Sequence, residues 1–317
     1  MSDAHELLAE GLGWAEGPAV LPDGRICFVE TYRSQVSVWE RGRGVSRYAY
    51  TAGGPNSCVV GADGTMYVCQ NGGTTGPWRA AEMVTPSIQV IGREGGRAEI
   101  VATELDGKRF NGPNDLVFGQ DGRLYFTDPG TYRPGDPEPS YLFVLNPDGT
   151  GRLLAELTPP TFPNGIAIEA DGSVVWAESY TGMVRRLDPA TGRIADIARL
   201  PGEKPIADGM AVGKDGLLYV TTVNGGGIDV IRPDGTYDRF IKAGTIPTNC
   251  VFSGTDLIMT DAGVLADTAD ASYGGQLWRL PIGVEGLGTW TGRIRSEEHT
   301  SELQSHLNLV CRLLLEK

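Results

Sequence analysis

The stretch Asn164-Gly-Ile-Ala-Ile-Glu-Ala-Asp-Gly172 places a polar residue eight positions before the glycine of an Asp-Gly pair, with an apolar run between them. Asp-Gly between two apolar runs indicates a β-hairpin, because glycine adopts a positive φ without strain. The same register recurs along the chain, and an altered sixth copy spans Asn249–Asp256. The complete copies are Glu16–Gly24, Asn56–Gly64, Asn114–Gly122, Asn164–Gly172 and Asp208–Gly216. Each copy therefore predicts the first hairpin of a repeated β unit.

The spacing of the copies predicts the architecture. Their polar residues follow one another at intervals of 40 to 58 residues, and further strand-like runs lie between the hairpins. Periods of this length with several strands each are typical of propeller blades. We predict an all-β, six-bladed β-propeller over residues 1–294, in which a spare strand at residues 6–10 completes the last blade and closes the ring. A β-sandwich is the main structural alternative.

Composition narrows the class of protein. The 317 residues carry a formal charge of −13 and contain no run of Lys or Arg, which argues against nucleic-acid binding. No apolar stretch is long enough to cross a membrane, and the first residues do not resemble a signal peptide, so we expect a cytoplasmic protein. Four of the five cysteines lie in strand-like runs without close pairing, which indicates reduced thiols. We expect a monomer or a small homo-oligomer.

The shared register also predicts a site. The first strand of each blade lines the central channel, so the polar residues before these strands should converge at one mouth. They are Glu16, Asn56, Asn114, Asn164, Asp208 and Asn249. Asn and Asp also begin turns for local reasons, but two carboxylates near one axis repel each other unless a cation binds. Such an oxygen-rich ring favours Ca²⁺, with Mg²⁺ or Mn²⁺ as alternatives. Zn²⁺ is a poorer alternative because the ring has no His or Cys.

Three long connections should surround the same mouth, at residues 71–84, 128–140 and 261–274. Long loops around a predicted cation site favour a substrate pocket. The candidate lining residues are Tyr32, Trp78, Tyr132, Tyr180 and Tyr273. Each of these aromatic side chains could instead serve only to pack the loops.

Several motifs together resemble the SMP-30/gluconolactonase/LRE-like (regucalcin) family from about Leu7 to Trp290. They are Trp14-Ala-Glu-Gly-Pro18, Arg109-Phe-Asn-Gly-Pro-Asn-Asp-Leu116, Tyr125-Phe-Thr-Asp-Pro129, Phe162-Pro-Asn-Gly165, Ala177-Glu-Ser-Tyr180 and Ala207-Asp-Gly-Met210. The resemblance implies a six-bladed propeller with a catalytic divalent metal. It also implies metal ligands at Glu16, Asn164 and Asp208. Asn114 matches a residue that binds metal or substrate, and Arg109 is matched to a substrate-binding Arg.

The predicted function is a metal-dependent hydrolase that opens a small-molecule sugar lactone. The metal would polarise the carbonyl and help to generate hydroxide, with Asp208 as general base. Asn114 and Arg109 would stabilise the oxyanion or hold sugar hydroxyls. Asn56, Asn249 and Tyr132 are further candidate substrate contacts. The alternatives are a phosphotriesterase, a non-catalytic protein-binding propeller and a calcium-binding regulatory protein.

Residues 295–317 lack the propeller pattern. The stretch Arg295-Ser-Glu-Glu-His-Thr-Ser-Glu-Leu-Gln-Ser305 resembles the translation of a short-read sequencing adapter. We therefore hypothesise that this tail is not native, so that His299, His306 and Cys311 take no part in any site. A natural helix that docks a partner is the alternative.

Overall fold

The protein is a ring of six β-sheet blades. The computed structural model describes residues 5–263 and 274–294. Six sheets, each built on four antiparallel strands, follow one another along the chain, and the first has a short fifth strand; no α-helix occurs among these residues. The inner strands of successive blades contact each other in a closed cycle, and the sixth returns to the first. The prediction of an all-β, six-bladed propeller is confirmed. The hypothesis about residues 295–317 and the lining role of Tyr273 lie outside the described residues.

Each blade runs outward from the channel in four strands. The inner strands are Ala15–Val20, Pro55–Val60, Leu116–Phe118, Pro163–Ile168, Ala207–Val212 and Pro247–Ser253. The second strands are Ile26–Glu30, Met66–Gln70, Leu124–Asp128, Val174–Glu178, Leu218–Thr222 and Asp256–Asp261. The third strands are Gln35–Glu40, Ser87–Ile91, Ser140–Leu145, Met183–Asp188, Gly227–Ile231 and Gly275–Pro281. The outer strands are Gly44–Tyr50, Glu99–Ala102, Gly151–Leu157, Arg193–Arg199, Tyr237–Lys242 and, for the last blade, Glu6–Leu12.

The last blade joins the two ends of the ring. Glu6–Leu12 pairs antiparallel with Gly275–Pro281, with Leu7 opposite Trp278. This pairing gives the third strand of blade 6 a hydrogen-bonded neighbour on its outer side, so the ring is held shut by backbone hydrogen bonds.

A few short elements decorate the blades. Thr31–Arg33 forms a 3₁₀ turn, and Gly96–Arg97 pairs in parallel with the outer strand of blade 1. Two small hairpins are Thr74–Thr75 with Trp78–Arg79 and Glu104–Leu105 with Lys108–Arg109.

Local chemistry explains the first hairpin of each blade. The turn glycines have positive φ values of 73° to 87°; they are Gly24, Gly64, Gly122, Gly172 and Gly216. The preceding Asp accepts a hydrogen bond from the N–H group two residues further on, as Asp171 does from Ser173 at 2.9 Å. This Asx geometry stabilises the turn by a local hydrogen bond. All these turns lie at the end of the channel away from the predicted ring, which we call the far end.

The core lies between neighbouring blades. Five of the six second strands are buried along their whole length, and in the sixth only Asp256 is partly exposed, because each blade covers one face of the next. Trp176, for example, is fully buried and packs with Leu142 and Ile166 between blades 3 and 4. Burying a large apolar side chain of this kind contributes about 1.5–3 kcal/mol. No apolar helix of membrane-spanning length occurs within the two described ranges.

The far end of the channel is covered by the chain itself. After the last blade, residues 285–294 cross the Asp-Gly turns: Leu287 N–H donates to Val212 O at 2.9 Å, and Ala62 N–H donates to Gly292 O at 2.8 Å. Between this far-end segment and the polar ring lies a cavity of about 440 Å³. It is lined mainly by apolar residues of the inner strands, such as Val20, Val60 and Val117, with Trp290 at the far end.

Candidate metal centre

The six predicted ring residues all lie at the start of the inner strands. Glu16, Asn56, Asn164 and Asp208 are each the second residue of their strand, Asn249 is the third, and Asn114 precedes Leu116–Phe118 by two positions. The sequence analysis placed them just before the strands, so the register is correct to within two residues. Asn114 is half-buried and the other five are at most 9% exposed.

Irregular pairing re-aims these residues. In blades 1, 2, 4, 5 and 6 the pairing between the inner and second strands shifts register at the ring position, as between Glu16 and Ala19. In blade 3 the regular pairing begins only at Leu116. A bulge re-aims side chains that strict alternation would send elsewhere. The ring therefore depends on a repeated bulge as well as on a repeated sequence.

Glycines bring the inner strands close together at the ring. A Cβ at Gly17 would lie 2.3 Å from Ser57 Cα, and a Cβ at Gly165 would lie 2.5 Å from the carbonyl oxygen of Asp208. At Gly209 it would lie 2.2 Å from Asn249 Cγ. A side chain at any of these positions would push neighbouring blades apart. Close approach of the backbones thus explains why glycine follows Glu16, Asn164 and Asp208.

Buried polar residues at the ends of the second strands hold the segments that lead into the ring. Glu30 accepts a hydrogen bond from Gly13 N–H at 2.7 Å, and Gln70 accepts one from Gly54 N–H at 2.6 Å. Asp128 accepts one from Gly112 N–H at 2.6 Å, and Asp261 one from Thr245 N–H at 2.6 Å. This role was not predicted from the sequence. The sequence does show a polar residue at the end of each β-rich run, and strand propensity alone does not explain a polar residue at that position.

Negative charge accumulates at the ring. Burial raises the pKa of Glu16 well above its usual range, and the nearby charges of Asp208 and Asp115 raise it further. Burial, followed by the charge of Asp115, likewise raises the pKa of Asp208. None of the ion pairs in the described part of the chain includes these three carboxyl groups. Carboxylates buried without a counter-charge are costly, and a cation would remove that cost.

Unpaired oxygens point to the same conclusion. Within residues 5–263 and 274–294, Asn114 Oδ1 and Asp208 Oδ1 are buried side-chain acceptors without a hydrogen-bond partner. Such atoms are rare in folded proteins and call for an ion or another partner. No three His, Cys, Asp or Glu side chains in the same ranges cluster as a metal site. Amide oxygens must therefore complete any coordination shell here, and this donor set fits a hard divalent cation.

The ring asparagines differ in their hydrogen bonds. The amide of Asn164 donates to Ser179 Oγ at 3.2 Å, which leaves its Oδ1 available as an acceptor, and the nearby Asn164 side chain lowers the pKa of Asp208. The Oδ1 atom of Asn249 accepts from Cys250 N–H at 2.8 Å, and the nearby Asn249 side chain lowers the pKa of Glu16 and of Asp115. Asn249 therefore lies beside the ring carboxylates, and its contact with a substrate stays a prediction.

Asn56 sits between blades 2 and 3, since its amide donates to the carbonyl oxygen of Asn114 at 3.3 Å. This bond ties Asn56 to the backbone of the neighbouring ring residue. The contact holds Asn114 in place, whatever further contact Asn56 makes with a substrate.

Asp115 is a central residue that the sequence analysis did not select. It is 5% exposed and accepts hydrogen bonds from Ser57 Oγ at 2.6 Å and from Ile166 N–H at 3.1 Å. It also accepts from Leu116 N–H at 2.9 Å, so it links blades 2, 3 and 4 around the axis. The repeat register selects one polar residue in each copy, and in the third copy that residue is Asn114. Asp115 is visible in the sequence only as the second member of the pair Asn114-Asp115.

Arg109 lies on the hairpin of Lys108–Arg109 with Glu104–Leu105, its side chain is 90% exposed, and its ion-pair partner is Glu104 at 3.8 Å. Left-handed backbone at Asp106 and Gly107 turns this hairpin. The contact of Arg109 with a substrate stays a prediction.

Tyr132 lies beside Phe162, which precedes the ring residue Asn164 by two positions. Its side chain is 40% exposed, and burial together with the charge of Asp208 raises the pKa of its phenol. Its ring centroid is 5.1 Å from that of Phe162 and 5.1 Å from that of Tyr180. The predicted lining residues Tyr32 and Trp78 also meet, with stacked rings 5.1 Å apart.

The chain is similar in sequence to known proteins. A gluconolactonase of Zymomonas mobilis subsp. mobilis is 28% identical over 289 residues, which cover 80% of this chain and 76% of that protein. The diisopropyl-fluorophosphatase of Loligo vulgaris is 30% identical over 167 residues, covering 47% of this chain and 52% of the squid protein.

The fold has close structural counterparts. The crystal structure of regucalcin from Agrobacterium tumefaciens strain C58, described as a calcium-binding protein, superposes with a TM-score of 0.72 at 19% identity. The match covers 92% of this chain and 97% of that one. Residues 8–262 match the model of the SMP-30/gluconolactonase/LRE-like region. The chain therefore belongs to the SMP-30/gluconolactonase/LRE-like family.

Proposed function

We propose that the protein is a divalent-metal-dependent hydrolase that opens a sugar lactone. The observation that carries the proposal is the pair of buried carboxylates, Glu16 and Asp208, which share the ring with unpaired acceptor oxygens and have no cationic partner among the described residues. Similarity to a gluconolactonase supports a lactonase-type hydrolase.

Glu16, Asn164 and Asp208 would hold the cation. Asn114, with its unpaired Oδ1, would serve as a fourth ligand or as a substrate contact. Ca²⁺ is the first candidate because the donors are carboxylate and amide oxygens, and a structural counterpart is described as calcium-binding. When bound, the cation would polarise the lactone carbonyl and make a nearby water more acidic.

The protein side chains would supply the remaining functions. Asp208 Oδ1 lies in the ring without a hydrogen-bond donor, and we assign it to accept the proton of the attacking water. The amide of Asn164 orients Asp208, and Asn249 orients Glu16. The aromatic side chains at the mouth, Tyr132 among them, would limit the access of bulk water.

Metal replacement tests the proposal. Protein stripped with a chelator is supplied separately with Ca²⁺, Mg²⁺, Mn²⁺ or Zn²⁺, and acid release is followed with glucono-, galactono-, xylono- and arabinono-lactone. We expect at least one metal to restore hydrolysis above the spontaneous rate, with Ca²⁺ the most effective. Acid release that never exceeds the spontaneous rate with any metal would contradict lactonase function.

A phosphotriesterase is the second candidate. The partial similarity to diisopropyl-fluorophosphatase favours it, and the same oxygen ligands could serve a cation that polarises a phosphoryl oxygen. Fluoride release from diisopropyl fluorophosphate, measured beside the lactone assay, distinguishes the two. A non-catalytic protein-binding propeller is disfavoured because it has no use for a buried Glu16–Asp208 pair.

A further inference from the structure

Every junction between neighbouring blades is crossed, at the level of the ring, by a hydrogen bond from a side chain to a backbone carbonyl oxygen. We call these six hydrogen bonds the belt. They run from Thr31 Oγ1 to Pro55 O at 2.8 Å, from Asn56 Nδ2 to Asn114 O at 3.3 Å, from Thr127 Oγ1 to Asn164 O at 2.9 Å, from Ser179 Oγ to Ala207 O at 2.7 Å, from Thr221 Oγ1 to Thr248 O at 2.8 Å and from Thr248 Oγ1 to Ala15 O at 2.8 Å. The belt therefore passes from blade 1 through blade 6 and back to blade 1.

The acceptors of the belt share one position. Each is the carbonyl oxygen of a ring residue or of the residue directly before a ring residue, so the belt holds the start of every inner strand to the preceding blade. Four donors are hydroxyl groups that lie near or directly after the end of a second strand and are at most 3% exposed; they belong to Thr31, Thr127, Ser179 and Thr221. Residues outside the ring thus fix how far apart neighbouring ring residues stand.

Ser179 is a belt residue that also contacts the side chain of a proposed metal ligand. Its Oγ accepts from Asn164 Nδ2 at 3.2 Å and donates to Ala207 O at 2.7 Å. Ala207 directly precedes Asp208, the proposed ligand of blade 5. One buried hydroxyl group therefore joins the side chain of one proposed ligand to the backbone that carries the next.

The single proton of this hydroxyl group decides how the amide of Asn164 is turned. A carbonyl oxygen can only accept, so the proton of Ser179 is directed to Ala207 O. The atom of Asn164 that faces Ser179 Oγ must then be a donor, which is Nδ2. An Oδ1 atom in its place would compete for the same proton, and one acceptor would stay buried without a partner, which is unfavourable. Oδ1 is therefore the free end of the amide.

We propose that Ser179 is a positioning residue: it holds the amide of Asn164 with Oδ1 free for the cation and, through the belt, keeps Asn164 and Asp208 at a fixed spacing. This inference rests on the proposed metal-dependent function, because it concerns the ligands named there. Removing a group that orients a metal ligand typically weakens metal binding about 10–100-fold. We therefore expect Ser179 to set the Ca²⁺ affinity of the ring without touching the cation.

Blade 1 shows which residue can replace Ser179. Thr31 also follows a second strand directly, and its N–H donates to Trp14 O at 3.1 Å, as the N–H of Ser179 donates to Phe162 O at 2.9 Å. Trp14 and Phe162 each precede a ring residue by two positions, and both have a φ of 58°, which is strained for a bulky residue. The two sites thus share one backbone arrangement, and a threonine hydroxyl completes the belt in blade 1. Ser179→Thr is therefore the conservative variant.

Ca²⁺ binding measured without turnover tests the proposal. Chelator-stripped wild-type protein and the variants Ser179→Ala and Ser179→Thr are titrated with Ca²⁺ by calorimetry. We expect Ser179→Ala to raise the Kd for Ca²⁺ at least about tenfold, whereas Ser179→Thr should stay within about threefold of the wild type. A Ser179→Ala protein with the wild-type Kd, or a Ser179→Thr protein that loses as much affinity as Ser179→Ala, would overturn the proposal.

Ser37→Ala is the matched control. Ser37 is also fully buried, and its Oγ donates to Glu30 Oε1 at 2.5 Å, but it lies on the third strand of blade 1. The same substitution thus removes a buried hydrogen bond away from the ring, and the Kd for Ca²⁺ should stay within about twofold of the wild type. An equal loss of affinity in Ser37→Ala and Ser179→Ala would overturn the proposal, because a general loss of packing would then explain both.

NMR on the metal-free wild-type protein tests the orientation of the amide directly. With ¹⁵N-labelled asparagine, the side-chain NH₂ signal of Asn164 is identified by its absence in Asn164→Asp. We expect NOE contacts from these protons to the β protons of Ser179, because Asn164 Nδ2 and Ser179 Oγ are 3.2 Å apart. An Asn164 NH₂ group without NOE contacts to Ser179 would contradict the assigned orientation. This arm needs neither a cation nor a folded variant of Ser179.

The outcomes separate this proposal from the proposed function. If Ser179→Ala weakens Ca²⁺ binding but no lactone is hydrolysed, the positioning role stands and the lactonase function fails. If lactones are hydrolysed and Ser179→Ala binds Ca²⁺ as tightly as the wild type, the function stands and the positioning role fails. If the wild-type protein binds no divalent cation, the metal-dependent function fails, and the NOE contacts still decide the orientation of Asn164.

Discussion

The two ends of the central channel are built on the same six inner strands, yet they differ in chemistry. At the ring end, Glu16 and Asp208 are buried without counter-charge, Asn114 and Asp208 carry unpaired oxygens, and strained residues such as Trp14 flank the ring. At the far end the turns are closed by local hydrogen bonds, and residues 285–294 bond to the blades through their backbone.

A single inner strand therefore carries a candidate functional residue at its ring end and a stabilising contact at its far end. Ala207–Val212 begins with the ring residue Asp208 and ends with Val212, whose carbonyl oxygen accepts from Leu287 N–H. Unsatisfied charge and backbone strain cost stability and are retained where binding repays them. We therefore expect changes at the ring end to alter metal binding and turnover, and changes at the far end to alter stability.

The largest expected effect is on turnover. Asp208→Ala should lower kcat/KM for the lactone by about 10³-fold, because a positioned general base contributes about 10²–10⁴-fold. Acid release with saturating Ca²⁺ measures it, and a cooperative unfolding transition shows that the fold is kept. Asp215→Ala, at the exposed turn of the same blade, is the control and should retain activity. An active Asp208→Ala protein would remove Asp208 from the mechanism.

The next effect is on how stability depends on pH. The dependence should have opposite signs for Asp128 and for Asp121, which lie at the two ends of one hairpin strand. Burial raises the pKa of Asp128 from 3.8 to about 6. Between these values the folded protein keeps a proton that the unfolded chain has released, so stability falls as pH rises through this window. The loss attributable to Asp128 is about 3 kcal/mol. Asp128→Asn should remove this loss in denaturant unfolding measured from pH 4 to pH 7.

Asp121, at the far-end turn before the same strand, provides the contrast. Partial burial raises its pKa, but hydrogen bonds from Arg123 outweigh this and leave the pKa below its usual value. It therefore stabilises the protein above the usual Asp pKa, and this stabilisation is lost as pH falls. Asp121→Asn should make the protein less stable at neutral pH with little change in acid. If Asp121→Asn and Asp128→Asn changed the free energy of unfolding at neutral pH in the same direction, the predicted opposite pH dependences would be wrong.

Glu16→Gln should have two effects on stability. It removes a buried charge, so the metal-free protein should become more stable by about 1–2 kcal/mol. It should also weaken the stabilisation by Ca²⁺, which reaches about 2.7 kcal/mol at a concentration of one hundred times Kd. Thermal unfolding with and without Ca²⁺ measures both. Glu285→Gln, which affects an exposed ion pair with Lys214 at the far end, should leave the Ca²⁺ effect intact.

The last effect is expected at the far end and concerns stability alone. Trp290 packs between the apolar clusters of blades 2, 3 and 4, and its Nε1 is buried without a partner among the described residues. Trp290→Ala should lower the free energy of unfolding by about 2 kcal/mol, less than for a fully buried Trp. Trp290→Phe should be close to neutral, because it keeps most of the packing and removes the unpaired N–H. The KM for the lactone should be unchanged in both variants. A raised KM would contradict the expectation that changes at the far end alter only stability.

The features that repeat from blade to blade could be predicted from the sequence. The strands and the positions of Glu16, Asn164 and Asp208 follow from a register shared by successive blades. Asp115 could not be found in this way, because the irregular pairing before Leu116 determines which of two adjacent polar residues accepts hydrogen bonds from blades 2, 3 and 4. The hairpin that carries Arg109 depends on left-handed backbone at Asp106 and Gly107. Neither feature has a periodic signal.

The far-end segment was also beyond prediction. Residues 285–294 have no strand pattern, and they are held by contacts with residues far away in sequence, such as Ala62 and Val212. The aromatic pairs Trp14–Tyr32 and Phe162–Tyr180 could be predicted only in part. Tyr32 and Tyr180 were candidates from loop position, but the equivalence of Trp14 and Phe162 depends on a backbone conformation that their sequences do not reveal.

The central claim is that the ring oxygens bind one divalent cation on which lactone opening depends. The most direct measurement titrates chelator-stripped protein with Ca²⁺ by calorimetry while acid release from glucono-1,5-lactone is recorded at each step. We predict one site per chain, with activity rising in proportion to its occupancy and both signals lost in Glu16→Gln. Full activity in the stripped protein, or occupancy of the site without any gain in hydrolysis, would contradict the claim.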